Sequence, residues 1–307
     1  MRRALILLVL VASLAFAVLQ GLHPYLAITR YSGGTVLVVE GWMEEEQMAM
    51  VADLVREKGY DSIYVTGTTR PSAYYLQHNA ALDVVLRRPF DGEITVNMSG
   101  VVGSGFLLIA DRDTLLRTTV ELEGRDHRVR TPGPVNSVVL LSTNERFSDP
   151  DAANTFLLHL LLNDRDVHTL HREVHIVGPD GRYTPGMPTF AHQGAALLAA
   201  NGLPEEIITI VPAFMDRMGR SHANAAAFAL VAEQQGIRRF DVVSDGIHAR
   251  RSRMLYRSAL GRTAEVGVIA LEDPTFGKDW WKHKDGRRRM GREITGLLLA
   301  RLPFARM

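Results

Sequence analysis

The chain has 307 residues, of which 46% are hydrophobic and 22% are charged, a composition typical of a folded protein with one large domain or two ordinary ones. The formal net charge of +1 gives no global attraction to nucleic acid, so no nucleic-acid partner is expected. The sequence contains no cysteine, which excludes disulfide bonds, thiolate metal sites and cysteine nucleophiles.

The N-terminal segment has the pattern of a membrane anchor or an export signal. Arg2 and Arg3 precede an uncharged run, ALILLVLVASLAFAVL, at residues 4–19. This run approaches the roughly 20 apolar residues that span a bilayer, and the two arginines favour an N-terminus that stays in the cytoplasm. Residues 1–31 are therefore interpreted as an uncleaved anchor. The alternatives are a signal peptide, cleaved after the small-residue motif at 15–17, and a buried helix of a soluble protein.

The segment that follows predicts the start of an α/β domain. TVLVVEG, at residues 35–41, is a β-branched run that ends in glycine, typical of a strand buried on both faces of a parallel sheet. Residues 43–58 have helical spacing of apolar side chains, with acids in the first turn and Gly59 after the end. YDSIYVTGTT, at residues 60–69, predicts a second strand, so the chain opens β-α-β.

Residues 71–185 predict an inserted all-β sandwich. No helix of ordinary length is predicted between about 80 and 178. Short apolar or alternating segments are found instead, separated by turn residues: ALDVVLR, EITVNM, GFLLIA, TTVEL, SVVLLS, TFLLHLLLND and REVHIVG. Short strands at this spacing are typical of an antiparallel sandwich.

The α/β pattern returns after Pro188. Helices are predicted at residues 190–202, 220–236, 248–261 and 286–302. Strands are predicted at residues 206–213, 238–246 and 264–271. The predicted architecture is thus a Rossmann-like α/β domain, residues 32–70 plus 186–307, interrupted by the β-sandwich and preceded by an N-terminal membrane-anchor helix.

A candidate ligand site lies where the parallel strands end, because their carboxyl ends meet at one edge of the sheet. The residues at this edge are Glu40, Gly41, Gly67, Thr68, Arg217, Asn224, Ser244, Asp245, Arg251 and Arg253. Glycine, hydroxyl, amide and basic groups together favour an anion such as phosphate, a nucleotide or a carboxylate. His248 and Arg251 share a helix face, whereas Arg253 lies on a neighbouring one. The alternative is a solvated basic helix.

The order of the segments VLVVEGW, YVTGT, GAALLAANGLPEEIITIVPA, RSHANAAAFAL and VVSDGIHARRSRMLY resembles the SanA/ElyC/YdcF group of bacterial envelope proteins. The resemblance covers roughly 150 residues and implies a Rossmann-type domain behind a membrane anchor, with the body on the extracytoplasmic side of the bacterial cytoplasmic membrane. The group's hallmarks map to Gly67, Ser221, Asn224, His248, Arg251 and Arg253. His248 and Ser221 are thereby candidate catalytic residues, with His248 acting as an acid/base group or as a hydrogen-bond donor to phosphate.

The insert has a resemblance of its own. VVLLSTNERFSDPDAANTFLLHLLLND, followed by REVHIVGPDGRY, is similar to small calcium-dependent xylan-binding modules. This resemblance implies an envelope glycan as a partner and a calcium ion with Asp149, Asp151 and Asn154 as candidate ligands, because calcium binds carboxylate and amide oxygens. The alternative is a polar loop with Asp-Pro turn chemistry. Any other cofactor is left unknown by the sequence.

Two functions remain open at this point. The first is a membrane-anchored envelope protein whose α/β domain binds an anionic small molecule, either a nucleotide or a phosphorylated glycan or lipid precursor. In this hypothesis Arg251 and Arg253 neutralise the ligand's charge, and whether the protein also catalyses a reaction is left open. The second is a non-enzymatic scaffold whose sandwich binds surface glycan.

Overall fold

The computed structural model describes residues 2–144, 146–149, 152–215, 218–261, 264–273 and 276–300. The helices are α1 (Arg2–Leu26), α2 (Glu45–Lys58), α3 (Phe190–Ala200), α4 (Arg220–Gln235), α5 (Ala249–Leu260) and α6 (Lys284–Leu299). The strands are β1 (Val36–Glu40), β2 (Ser62–Thr68), β3 (Tyr74–Gln77), β4 (Ala81–Phe90), β5 (Glu93–Gly100), β6 (Ser104–Ala110), β7 (Asp113–Thr119), β8 (Arg125–Arg130), β9 (Val135–Asn144), β10 (Asn154–Leu162), β11 (Arg165–Asp166), β12 (His171–Val177), β13 (Tyr183–Pro185), β14 (Ile208–Ala213), β15 (Arg239–Asp245) and β16 (Glu265–Leu271).

The chain is mixed α/β and separates into two compact units. The parallel-sheet unit comprises Met1–Thr68 and Phe190–Met307, and the antiparallel unit comprises Thr69–Thr189. The first contains one five-stranded parallel sheet, and the second contains two antiparallel sheets.

The parallel sheet has the strand order β14-β2-β1-β15-β16. The chain moves outward from β1 through β2 to β14, and then returns to the other side of β1 to form β15 and β16. The direction of winding therefore reverses between β1 and β15, where Val39 is in register with Val243. In open parallel sheets a ligand crevice forms at the carboxyl ends of the two strands that flank such a reversal.

Both faces of the parallel sheet are covered, which explains the uninterrupted apolar run of β1. Val39 packs in a core with α2 and α3, whereas the preceding residue, Val38, packs in a second core with α4 and α5. Successive side chains of a strand point to opposite faces, so a strand between two helical layers needs apolar residues at every position.

Two strand-end glycines bring α3 close to the sheet. A Cβ on Gly41 would lie 2.3 Å from the carbonyl oxygen of Phe190, and a Cβ on Gly67 would lie 2.2 Å from the backbone nitrogen of Ala191. Both distances are far below van der Waals contact, so only glycine allows the first turn of α3 to pack here.

The N-terminal helix is long and apolar enough to cross a membrane. Its Leu5–Leu26 stretch has a mean hydropathy of 2.6, and the large apolar side chains Leu5, Leu10 and Phe16 are among those exposed. The last turns differ, because Leu26 is buried in a cluster with Phe276 and Trp280. The indole Nε1 of Trp280 also donates a hydrogen bond of 3.2 Å to the Leu19 carbonyl. Thus α1 is exposed along most of its length and fixed to the parallel-sheet unit at its C-terminal end.

The antiparallel unit contains a sheet with the order β11-β10-β5-β8, in which β3 also pairs with β10, and a sheet with the order β13-β12-β4-β9-β6-β7. One hydrophobic core contains side chains from both sheets. Alternate residues of β4 (Leu82, Val84) and β5 (Ile94, Val96) are buried in it. This period of two is the one expected for strands with one buried face.

Candidate functional site

The site begins with a buried carboxylate at the point where the strand order reverses. Glu40, the last residue of β1, is fully buried. One of its oxygens accepts a hydrogen bond of 2.6 Å from Ser244 Oγ on β15, and the other accepts one of 3.0 Å from Ser252 Oγ on α5. These two donors compensate for the loss of water around the carboxylate.

His248 lies beside this carboxylate, in the short turn between β15 and α5. The residue is 5% exposed, and its ring packs edge-on against Trp42, with the ring centroids 5.6 Å apart. Its Nε2 lies 3.2 Å from Ser221 Oγ, and its Nδ1 lies 2.9 Å from Glu293 Oε2. The three side chains of Ser221, His248 and Glu293 form what we call the serine relay: a hydroxyl, a base and a carboxylate in hydrogen-bonded series.

Arg251 holds the carboxylate of the relay in place. Its Nε and Nη2 each donate a hydrogen bond of 2.9 Å, to Oε2 and Oε1 of Glu293 respectively. Burial by itself would raise the pKa of Glu293, but hydrogen bonding and charge from His248, followed by those from Arg251, lower the pKa to about 2. Glu293 is therefore a carboxylate at every pH at which the protein would normally work.

The partners of His248 determine which ring nitrogen carries the proton. Glu293 is ionised and can only accept a hydrogen bond, so Nδ1 must donate to it. Arg251 Nη2 also lies 3.0 Å from Nδ1 and has a second N–H besides the one bound to Oε1, but a bond from it to Nδ1 would leave the ionised Glu293 oxygen facing a ring lone pair at 2.9 Å. We therefore assign the neutral ring as protonated on Nδ1. The lone pair of Nε2 then points at the Ser221 hydroxyl, as general-base catalysis requires.

Ser221 occupies the first turn of α4. Gly219 precedes the helix with a φ of +94°, a left-handed conformation that glycine adopts readily. No side chain caps this helix end, and the first backbone bond runs from the Ala223 N–H to the Gly219 carbonyl. Backbone N–H groups of the first turn have no intrahelical acceptor, so oriented donors and the positive end of the helix dipole lie beside the serine.

A second ion-paired group lies at the same edge of the sheet. Arg289 of α6 pairs with Asp245 at the end of β15 and with Asp273, the latter at 2.8 Å. Gln47 Nε2 donates a hydrogen bond of 2.9 Å to Asp245. Burial raises the pKa of Asp245, and the charge of Arg289 opposes that shift. The arginine is thus neutralised by protein carboxylates.

The structure brings several of the residues predicted from sequence together and separates one. Ser221, His248 and Arg251 are joined by the contacts above, and Glu40 lies 3.8 Å from His248 Nε2. Arg253, by contrast, donates from Nε to the Val266 carbonyl at 2.8 Å, among groups at the start of β16. The helical spacing explains this separation, because positions 251 and 253 point in different directions from one helix.

The other predicted ligand-binding residues have mixed surroundings. Gly41 and Gly67 contact the backbone of α3, and Thr68 is buried within the pairing of β2 with β14. Asn224 is 1% exposed, and its Oδ1 has no hydrogen-bond partner among the described residues. Arg217 lies outside the described residues.

The predicted calcium ligands are not gathered by the part of the chain that the structure describes. Asp151 lies outside that part, while Asn154 begins β10 and donates its backbone N–H to Ser104 Oγ at 3.0 Å. Asp149 lies in the loop before β10. No group of three or more His, Asp or Glu among the described residues could hold a metal ion. The described donors therefore do not fit a calcium cage, and calcium stays a prediction.

Sequence reasoning missed the acid of the relay. Glu293 lies in α6, within the segment RRRMGREITG, 45 positions after His248 in the chain. The available signal was an acid inside a strongly basic helix, whose one other acid is Asp285 in the first turn. A weaker signal accompanied the serine: Gly219, Ser221 and Ala223 match the Gly-x-Ser-x-Gly pattern of serine hydrolases except at the last position.

Comparison with known proteins adds little to this geometry. The chain matches no protein-family model and no curated protein. Among solved structures it is similar to one described as a family two carbohydrate esterase from Clostridium thermocellum in complex with cellohexaose, with 9% identity over 73% of this chain and 78% of that chain. The TM-score is 0.24, too low for this likeness to assign either a fold or a function.

Proposed function

We propose that the protein is a membrane-anchored envelope protein of the SanA/ElyC/YdcF type whose Rossmann-like parallel-sheet unit cleaves esters through Ser221. The observation that carries the proposal is the serine relay, with 3.2 Å from Ser221 Oγ to His248 Nε2 and 2.9 Å from His248 Nδ1 to Glu293. A nucleophile, a base and an orienting acid in this order are recognised by geometry and not by position in the chain.

In the proposed reaction, Ser221 Oγ attacks the ester carbonyl carbon while its proton moves to His248 Nε2. Glu293 stabilises the resulting imidazolium, and the Glu40 carboxylate, 3.8 Å from Nε2, favours the same charge. Backbone N–H groups of the first turn of α4 stabilise the oxyanion. The proton then passes from His248 to the leaving alkoxide. A water molecule then gives a proton to His248 and attacks the acyl carbon. The bond between that carbon and Ser221 Oγ breaks, the carboxylic acid leaves, and His248 returns the proton to Ser221 Oγ.

The charges at the site favour an uncharged ester as substrate. The sequence predicted an anionic ligand, which needs an unpaired cation at this edge. Among the described residues, Arg251 is paired with Glu293 and Arg289 is paired with Asp245. A buried carboxylate, Glu40, also lies close to the base. An acylated sugar hydroxyl meets these conditions, whereas a phosphate next to Glu40 is repelled.

The test of this proposal is ester hydrolysis by the full-length protein in detergent micelles, with p-nitrophenyl acetate as the probe. Ser221→Ala and His248→Asn should each lower kcat/KM by about 10³-fold or more, because each removes a member of the relay. Ser258→Ala, an exposed serine on α5, is the matched control and should leave the rate unchanged. A fluorophosphonate should label Ser221 in the native chain. Absence of both labelling and a rate difference would leave the scaffold hypothesis.

A second function, glycan binding, is favoured by one feature of the antiparallel unit, which we propose is an inserted β-sandwich of the carbohydrate-binding type. Tyr75 and Phe156 are paired across β3 and β10, with ring centroids 5.0 Å apart. They are 50% and 44% exposed. Adjacent exposed rings on a strand pair form an apolar surface of the kind that stacks against sugar faces.

Binding to insoluble xylan tests the glycan proposal in the full-length chain. Tyr75→Ala and Phe156→Ala should each reduce the retained fraction several-fold, because each removes half of the aromatic surface. Tyr183→Ala removes a more exposed ring, at 65%, from another strand and serves as the control. Equal retention of all three variants would place sugar binding elsewhere or exclude it.

Membrane attachment needs its own measurement. We propose that α1 anchors the protein in the cytoplasmic membrane, with the body on the extracytoplasmic side, because Arg2 and Arg3 precede its apolar stretch. The full-length chain should sediment with membranes and resist carbonate extraction, and a protease added outside spheroplasts should digest the body. Recovery of the full-length chain in the soluble fraction would contradict the anchor.

A further inference from the structure

A basic cavity lies at the opposite edge of the parallel sheet from the serine relay. It has a volume of about 420 Å³ and is lined by Arg30, Tyr31, Arg253, Arg257 and the start of β16. Its size falls within the range of small-molecule sites. The relay is built at the carboxyl ends of the strands, whereas this cavity lies where β16 begins, so the two sites are separate.

The positive charge in this cavity is unmatched. Among the described residues, Arg30, Arg253 and Arg257 form no ion pair with a carboxylate. Glu265 also lines the cavity, but Arg239 binds it at 3.0 Å. Burial, followed by repulsion from Arg257 and Arg30, lowers the pKa of Arg253. Three guanidinium groups beside one carboxylate that a fourth arginine already binds are costly unless an anion joins them.

The fold leaves the binding atoms of these arginines available. Arg253 uses only Nε in the fold, for its bond to the Val266 carbonyl. Arg253 and Arg257 are one turn apart on α5, so their side chains extend from one face toward the same cavity. Arg30 enters from a separate segment that pairs with β16 through a bridge to Val268. Guanidinium groups that converge in this way match the oxygens of a phosphate group.

The cavity lies next to the end of the proposed membrane anchor. Arg250, one turn before Arg253, donates from Nε to the carbonyl of Tyr25 and places its guanidinium 4.0 Å from the centroid of the Tyr25 ring. Tyr25 belongs to the last turn of α1, which ends at Leu26. Arg30 follows four positions later. The cavity is therefore joined to the end of α1 by a short stretch of chain, which in a membrane-anchored protein brings it near the phosphate groups of lipids.

We propose that Arg30, Arg253 and Arg257 form a binding site for a phosphate group, supplied either by an anionic phospholipid headgroup or by a soluble phosphate. The site is independent of ester cleavage at Ser221, since it shares no residue with the relay. Its role is to bind an anion beside the anchor. This role would give Arg253, which lies away from His248, a function of its own.

The test uses the full-length chain in neutral detergent micelles and measures binding by calorimetry. The probes are inorganic phosphate, dihexanoyl phosphatidylglycerol and, as the zwitterionic reference with no net charge, dihexanoyl phosphatidylcholine. Arg253→Ala and Arg257→Ala should each raise the Kd for the bound probe about tenfold or more, since each removes a charged donor. Arg288→Ala, an exposed arginine of α6, should leave the Kd unchanged.

Each arm has a defined meaning. Binding of phosphatidylglycerol alone identifies a lipid headgroup, binding of inorganic phosphate alone identifies a soluble ligand, and binding of both supports the phosphate site itself. Arg257 is exposed and makes no structural hydrogen bond among those described, so its variant remains informative if Arg253→Ala unfolds. Saturable binding of neither anion, or equal effects of Arg257→Ala and Arg288→Ala, would overturn the proposal.

Discussion

At the scale of single residues, the serine relay depends on a carboxylate that is held by an arginine. Arg251 binds Glu293 through two parallel hydrogen bonds, so the acid has one orientation and presents one oxygen to His248. This arrangement uses Arg251 to position the base and leaves it unsuited to bind substrate. Double contacts of this kind are stronger and more directional than a single ion pair.

Replacement of Glu293 by glutamine should separate position from charge. The amide can occupy the same space, but its NH₂ group donates to Nδ1 and thereby favours the ring tautomer with the proton on Nε2. We expect Glu293→Gln to lower kcat for p-nitrophenyl acetate by about 10²- to 10⁴-fold with little change in KM. Glu233→Gln, at an exposed position of α4, is the control. Full activity of the Glu293 variant would contradict the assigned tautomer.

Gly67 has a packing role that its place in the sequence does not reveal. A glycine at the end of a predicted strand indicated a turn that binds a ligand. In the structure, however, Gly67 lies within β2 and faces the first turn of α3. The close approach depends on which helix returns to this strand more than 120 positions later, and no local pattern encodes that. By contrast, Ser221 and His248 were candidates through the family resemblance, and each lies near the start of a helix that follows a parallel strand, where strand ends share one edge.

Gly67→Ala should therefore lower the stability of the parallel-sheet unit. It should not act only on the binding of a ligand. The new Cβ would lie 2.2 Å from the Ala191 nitrogen, and backbone atoms cannot move aside as a flexible side chain can. We expect a loss of about 3 kcal/mol or more in the free energy of unfolding, measured in urea. Gly291→Ala is the matched control, because that glycine lies in α6 with open space around it, and alanine favours the helix.

At the scale of elements, the sequence predicted the strands with apolar residues at their core-facing positions. It missed strands whose residues are mostly polar. The runs that form β1, β4 and β9 are apolar at each position that the core needs. β8 has the sequence RDHRVR, which is charged at most positions and gains its strand conformation from pairing with β5. A strand expected at 118–122 is instead β7 at Asp113–Thr119, whose side chains are largely exposed. Edge strands carry such polar residues because one side faces solvent.

A buried histidine should make the antiparallel unit sensitive to acid. His168, in the short turn after β11, is 1% exposed, with Nδ1 at 3.0 Å from the Arg70 carbonyl and Nε2 at 2.9 Å from the Tyr74 hydroxyl. The ring therefore donates from Nδ1 and accepts from the phenol, and a second proton on Nε2 would replace that bond from the phenol. Burial lowers its pKa from 6.5 to about 4.

The sign of the pH effect follows from that shift. The unfolded chain takes up the proton below pH 6.5 and the folded chain only near pH 4, so stability is complete above 6.5 and falls as the pH drops through this window. The shift corresponds to about 3 kcal/mol. Urea unfolding of the wild type should show this loss, and His168→Gln should show a flatter profile. His283→Gln, at an exposed position, should behave as the wild type does.

At the scale of the whole molecule, the chain passes from one unit to the other and back at neighbouring points of the parallel sheet. The parallel-sheet unit is left after Thr68 and re-entered at Phe190. Gly67 and Phe190 are in backbone contact, because a Cβ on Gly67 would lie 2.6 Å from the Phe190 carbonyl carbon. The cores of the two units are also composed of different residues, since the antiparallel core draws only on positions 74–176.

Removal of Thr69–Thr189, with Thr68 joined to Phe190 by about three Gly/Ser residues, should therefore leave a folded parallel-sheet unit. All members of the relay lie in that unit, so hydrolysis of p-nitrophenyl acetate should stay within about twofold of the full chain, whereas retention on xylan should be lost. The same linker inserted at the exposed turn of Gly181 in the full chain controls for the added residues. If the shortened chain unfolds without a cooperative transition while Thr69–Thr189 alone folds, the parallel-sheet unit requires the inserted one for its stability, and the two are not independent domains.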